Sequence, residues 1–218
     1  MAELTLVIGN KNYSSWSLRA WLYMKINDIH FDEIRLPLDT PQFQREIYQY
    51  SPSGRVPALL HGDVRVWDSF AIIAYVYRTF PDSANWPKDK VLEGMAISAV
   101  MEMHAGFMEL RNHYPMNCRK TPFKAPLRGK VESELSRLET LWGDMLAASG
   151  GPWLCGDLGI VDAYFAPVCM RIHTYQLPVS ERLREYVERV LALPAMQEWI
   201  AAARAETDVV DADEWKDE

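Results

Sequence analysis

Val56-Pro57-Ala58-Leu59-Leu60 and Val64-Arg65-Val66-Trp67 are two strand-like runs flanking His61-Gly62-Asp63; Asp68-Ser69 then opens Phe70-Ala71-Ile72-Ile73-Ala74-Tyr75-Val76-Tyr77. A short Gly-containing loop between apolar runs predicts a β-hairpin. The run after Asp68-Ser69 is apolar almost all round and predicts a buried helix. Upstream, Leu4-Thr5-Leu6-Val7-Ile8 has strand length, and Tyr13-Ser14-Ser15 supplies polar residues suited to starting a helix. Leu18, Trp21, Leu22, Lys25 and Ile26 follow at helical spacing. Phe31 to Leu36 returns to a strand pattern, with Phe31, Ile34 and Leu36 as the expected buried positions. Thr40-Pro41 opens a second helix, and Ser51-Pro52-Ser53-Gly54 is turn chemistry. The order β-α-β-α-β-β-α requires one mixed sheet with helices packed on it.

Downstream, Pro81-Asp82-Ser83-Ala84-Asn85-Trp86-Pro87 combines two prolines with small polar residues between helical segments. Beyond it the strand signals stop. Helical patterns run over 88–114, 127–148, 161–174, 180–191 and 195–205, broken near Pro115, Pro122, Pro126, Gly150-Gly151-Pro152, Pro178 and Pro194. The expected organisation is an α/β domain over 1–80, a linker over 81–87 and an all-helical domain over 88–218.

Composition narrows the function. An apolar fraction of 49% and a charged fraction of 24% are those of a globular chain with a core. A net charge of −7 without a basic run makes nucleic acid and anionic membranes poor partners. The acidic stretch from Asp208 to Glu218 reads as a solvated tail. Cys118, Cys155 and Cys169 are odd in number and lack CxxC or Cys/His ligand spacing, which argues against a disulfide framework and structural zinc. The opening MAELTLVIG is too short and uncharged for a signal peptide, and no apolar stretch approaches the ~18 residues that span a bilayer. A cytoplasmic location is expected.

Three segments together resemble the glutathione transferase superfamily over nearly the whole chain. Ser14-Ser15-Trp16-Ser17-Leu18-Arg19 resembles the zeta-class pattern S-S-C-S-W-R. Gly54-Arg55-Val56-Pro57-Ala58-Leu59 with Asp68-Ser69 is similar to V-P-x-L…[ED]-S of the thioredoxin-like half. Gly156-Asp157-Leu158-Gly159-Ile160-Val161-Asp162 resembles the G-x-x-[ST]-x-x-D segment of the helical half. Each is weak alone; their order and spacing give the resemblance its weight. It implies a thioredoxin-like N-terminal domain followed by an all-helical domain, a homodimer, and glutathione as co-substrate in the cleft between domains.

Matching residue for residue places Ser14 on the zeta-class catalytic serine, whereas counting back from Arg19 places Ser15 on the theta-class serine; Ser14 is preferred. Either hydroxyl could donate to the glutathione sulfur at a helix N-terminus, and either could simply cap the helix. The resemblance implies a cis Val56–Pro57 bond, leaving the Val56 backbone free to pair with glutathione's cysteinyl unit. Asp68 and Ser69, at the start of the buried helix, would hold the γ-glutamyl end, the alternative again being a cap. Arg55 lies where relatives often place a Lys or Gln near the tripeptide, and Gln42 is a weaker candidate for its glycyl end. Trp16 stands in place of the zeta-class cysteine, which puts isomerase chemistry in doubt.

Met101, His104, Met108 and Arg111, with Phe107 nearby, follow helical spacing and read first as a core face with one polar edge. Trp16, His104, Phe107 and Arg111 are the candidate wall of a pocket for a small apolar electrophile. Asp162 is expected to be structural, completing half a capping box whose hydroxyl residue is replaced by Gly159. Addition of glutathione to an electrophile is the leading activity, with a glutathione-dependent isomerase or dehalogenase as a close variant. A non-catalytic scaffold is the alternative class. A thiol–disulfide oxidoreductase is disfavoured because the first helix starts without a cysteine.

Overall fold

The computed structural model describes residues 3–83 and 86–216; Ala84 and Asn85, in the middle of the expected linker, lie outside the described residues. The first part carries β1 (Leu4–Ile8), α1 (Ser15–Ile26), β2 (Asp32–Arg35), α2 (Pro41–Tyr50), β3 (Ala58–His61), β4 (Val64–Val66) and α3 (Ser69–Thr79). The strands form one mixed sheet of order β2-β1-β3-β4. β1 runs parallel to β2, Val7 opposite Ile34, because α1 crosses over between them. β3 is antiparallel to β1, Leu6 opposite Leu59, and pairs with β4 through the Gly62 hairpin, where Gly62 takes φ 59°.

Strand alternation sorts the side chains. Leu4, Leu6 and Ile8 join the main core with α1 and α3, whereas Val7 points to the other face, meeting Leu36, Ile47 of α2 and Ala58. Leu36 is buried as expected, but Ile34 and Phe31 are only half-buried, β2 being an edge strand.

The remainder is helical: α4 (Lys90–Ala105), α5 (Met108–His113), α6 (Val131–Ser149), α7 (Ile160–Tyr175), α8 (Glu181–Leu191) and α9 (Pro194–Ala205), then a 3-10 turn over Asp211–Asp213. No helix among the described residues is long and apolar enough to cross a membrane. α7 is the central post: all but one of its residues are buried, and it packs on α1, α4 and α8. Burial pushes the Cys118 and Cys155 thiols up to about 12 and raises Cys169 well above its ordinary value, so all three stay protonated at neutral pH.

Two expectations are corrected. The helix expected over 88–114 is broken: α4 is capped by Gly106, Phe107 adopts a left-handed conformation at φ 54°, and α5 starts afresh. Met101 faces outward from α4 and Met108, after the phase reset, is exposed on α5, so neither lies on a core face. The acidic tail is not a free solvated tail: several of its side chains over 206–216 are held by the fold, while others, such as Val209 and Asp211, stay exposed. Glu206 accepts from the N–H groups of Lys11 and Asn12, and Asp208 pairs with Arg35 at 2.7 Å. Glu214 accepts from the Tyr13 hydroxyl, and Trp215 packs on Tyr114, Tyr175 and Phe123 under the Arg128 guanidinium. Charge composition misleads here because the cations that receive the tail lie far away in sequence.

Asp162 serves structure. Its carboxylate accepts from Gly159 N–H at 3.0 Å, Leu154 N–H at 3.1 Å and the Tyr186 hydroxyl at 2.9 Å. Burial nevertheless raises its carboxyl to about 6 from the ordinary 3.8. The folded chain therefore binds this proton more tightly, and Asp162's titration stabilises the fold fully below the ordinary value and no longer above the raised one. Asp162→Ala is expected to cost about 3 kcal/mol in urea unfolding, since three buried donors lose their acceptor. The stability difference between the wild type and Asp162→Asn should move in favour of the wild type as pH falls from 7 toward 4; a flat difference would contradict the raised value.

Candidate functional site

Six buried or half-buried residues after β1 shape the site. Asn10 accepts from Leu38 N–H with its side-chain oxygen and donates to Asp208, while Asn12 accepts from Arg119 N–H. These bonds hold the polar 9–14 loop inside the protein and aim the N-terminus of α1 at an open cavity of about 360 Å³. Ser14, Ser15, Trp16, Arg55, Val56 and Arg111 all line that cavity, so six of the residues expected in the site come together.

The two serines are not equivalent. The Ser14 hydroxyl donates to Ser17 Oγ at 2.7 Å and accepts from Ser17 N–H at 3.4 Å, as the cap of α1; Ser17 Oγ in turn accepts from Gly9 N–H. The Ser15 hydroxyl has no hydrogen-bond partner among the described residues, although the residue is 8% exposed. Across the cavity the Val56–Pro57 peptide bond is cis, and Val56 makes no backbone hydrogen bond among the loops of the described residues. Pro57 is buried behind it.

Asp68 caps α3, accepting from Phe70 and Ala71 N–H, and its other oxygen lies 3.4 Å from His104 Nε2. His104 Nδ1 meets the Tyr164 hydroxyl at 2.6 Å, and its ring lies edge-on to Trp16 at 5.2 Å. The Ser69 hydroxyl is buried; Tyr164 is near enough to feel it electrostatically, but no hydrogen bond of good geometry forms. Gln42 is exposed on the first turn of α2 and does not line the cavity; its neighbour Phe43 does. Phe107 is buried and sits behind the wall rather than in it.

Sequence reasoning missed the cationic character of the site. Arg171 of α7 lines the cavity, as does Asp213 of the tail. Arg19, 1% exposed, lies with its guanidinium 4.2 Å from the Trp16 ring centre and 4.3 Å from that of Tyr164; Arg111 lies 4.7 Å from the Trp16 ring. Such contacts are worth ~0.5–2 kcal/mol each. Burial lowers Arg19 to about 10 and Arg171 to about 9; Arg111 is close enough to push both further down. An arginine in a largely apolar helix, as Arg171 is, was the available signal. A larger cavity of about 940 Å³ lies between the start of β1, the end of α1 and residues 79–83, away from every expected site residue.

A four-stranded mixed sheet with a cis-proline facing a helix N-terminus, packed on a helical half, defines a thioredoxin-like domain joined to an all-helical one. A family model described as "Glutathione S-transferase, N-terminal domain" matches residues 13–79. Glutathione S-transferase Z1 of Arabidopsis thaliana is 36% identical over 198 residues, covering 86% of this chain and 89% of that protein. Glutathione S-transferase T1 of the same plant is 30% identical over 177 residues, covering 75% and 70%. A glutathione transferase homolog from Burkholderia gl BGR1, crystallised with bound glutathione, superposes with a TM-score of 0.70 at 22% identity, over 94% of this chain and all of that one. The chain belongs to the glutathione S-transferase family.

Arg19 has Nε and Nη1 buried without partners. Replacing a buried charge of this kind by an apolar side chain of similar length is often neutral or stabilising. Arg19→Met is therefore expected to leave the melting temperature unchanged or raise it; a stability loss beyond ~2 kcal/mol would show that the charge is satisfied in the fold.

Proposed function

We propose that the chain is a glutathione transferase in which the Ser15 hydroxyl stabilises the glutathione thiolate and the sulfur is passed to a small electrophile. The observation that supports this most strongly is the unpartnered Ser15 hydroxyl at the α1 N-terminus, in the cavity bordered by the free Val56 backbone. A thiol with a pKa of ~8.5 is mostly protonated at neutral pH, and lowering it by two units takes ~2.7 kcal/mol. A hydrogen bond to a charged group supplies ~1.5–3 kcal/mol and a helix N-terminus ~0.3–1 kcal/mol, so together they suffice. Ser14, whose hydroxyl is spent on Ser17, is assigned the supporting role of cap; the preference between the serines moves to Ser15 for that reason.

Glutathione's cysteinyl backbone pairs with Val56 in a one-residue strand addition. Its γ-glutamyl carboxylate meets the Ser69 N–H at the start of α3, with Asp68 facing the ammonium. Arg55 borders the tripeptide, and Gln42 reaches its glycyl end only from outside the cavity. In this reading residues 1–80 bind glutathione and 88–218 the electrophile. The molecule works in the cytoplasm as a homodimer, to which the exposed Trp67, Val91, Ile97 and Met101 offer apolar surface.

Ultraviolet difference absorbance of the glutathione thiolate, scanned from pH 5 to 9, tests the reading. A saturable thiolate signal below neutral pH is expected in the wild type, lost in Ser15→Ala together with about a hundredfold in kcat/KM. Ser14→Ala should cost less activity and about 1 kcal/mol of stability. Binding without thiolate would favour a scaffold, and the reverse ranking of the two variants would return the role to Ser14.

A further inference from the structure

Asp68 is only half secured by its own helix. Its Oδ1 accepts from the Phe70 and Ala71 N–H groups as the cap of α3, which leaves Oδ2 to meet a ligand, on a side chain that is 46% exposed. Among the described residues His104 is the one side chain within ion-pair distance of Oδ2, its Nε2 standing 3.4 Å away. His104 does not line the serine cavity; it lies in the last turn of α4, with the Trp16 ring edge-on at 5.2 Å. Two contacts hold it there. Its Nδ1 is 2.6 Å from the hydroxyl of Tyr164, a fully buried residue of α7 whose ring stacks on the imidazole. Arg111 Nη1 reaches the His104 carbonyl at 3.4 Å from beyond the α4–α5 break. An ionised carboxylate only accepts, so the nitrogen facing Asp68 carries the ring proton. Nδ1 then accepts from Tyr164, a buried hydroxyl that needs a partner. Donation therefore runs from Tyr164 to His104 to Asp68, from the central post of the helical half to the carboxylate of the other half.

We propose that His104 is a positioning residue for glutathione: held by Tyr164, it aims Asp68 Oδ2 at the ammonium of the γ-glutamyl unit. This rests on the placement of that unit at Asp68 and Ser69 in the transferase reading above, and adds a residue of the helical half to it. A half-exposed carboxylate that must be ordered on binding loses affinity to that ordering, and one already held by an imidazole loses less. The contribution belongs to the network as a unit, so it shows as a coupling between His104 and the ligand's ammonium.

The test measures, by titration calorimetry, the dissociation constants of glutathione and of glutaryl-cysteinylglycine, the same tripeptide with its ammonium replaced by hydrogen. The wild type is expected to hold glutathione about tenfold more tightly than the des-amino peptide, the size of one hydrogen bond between charged groups. Asp68→Asn, which can still cap α3, should bring that ratio to near one. His104→Asn keeps a polar group near Tyr164 but falls short of the Nε2 position. It should cut the ratio about fivefold and leave the constant for the des-amino peptide unchanged. His104→Gln, whose amide N–H reaches the Nε2 position, should restore most of the ratio; melting curves check that the variants fold. Equal weakening of both peptides in His104→Asn would overturn the inference, as would an unchanged ratio. A wild type that binds the two peptides alike would instead remove the ammonium contact at Asp68, and one that binds neither would remove the glutathione reading; the inference falls with either.

Discussion

Everything at the site depends on burying a polar loop. Residues 9–14 leave β1, turn and enter α1 with Asn10 and Asn12 fully enclosed, so their amides need partners that the sheet alone cannot give. Those partners come from the far end of the chain and the helical half: Asp208, Glu206, Arg119 and the Trp199 indole, which donates to the Lys11 carbonyl at 2.9 Å. The α1 N-terminus can point at the cavity because this network meets the loop's polar groups, all but the buried Asn12 Nδ2, which has no partner among the described residues.

The same economy explains why one helix serves both halves. α1 lies between the sheet and α7, and apolar residues on nearly every face suit a helix enclosed all round. Its first turn is then the only part left facing the cavity, with Ser14 as cap, Ser15 open and Trp16 beneath two guanidiniums.

Local patterns made the fold legible. The Gly62 hairpin, the Pro41 helix start and the prolines between later helices are short-range signals, and the structure places elements where they fall. The α4–α5 break was not legible, because Gly106 and Phe107 sit inside a continuous apolar periodicity, and only the three-dimensional path shows the change of phase. In the site, Ser14, Ser15, Trp16, Arg55, Val56 and Arg111 were readable from motifs and spacing. The choice between the serines was not, since it turns on whether Ser17 claims one hydroxyl. Arg171 and Asp213 reach the cavity from α7 and the tail, long-range placements that a one-dimensional pattern does not encode; only Arg171 left a trace, as a charge in a largely apolar helix.

Arg119 ties these parts together. One guanidinium donates to the Tyr13 hydroxyl and to the carbonyls of Glu206 and Asp208, so the loop before the serines and the returning tail share a single knot. Coupling free energies are reciprocal. Any molecule that binds the cavity better when the knot is tied must also hold the tail more firmly in place. Loosening the tail, at whatever distance from the serines, weakens that molecule's grip by the same factor.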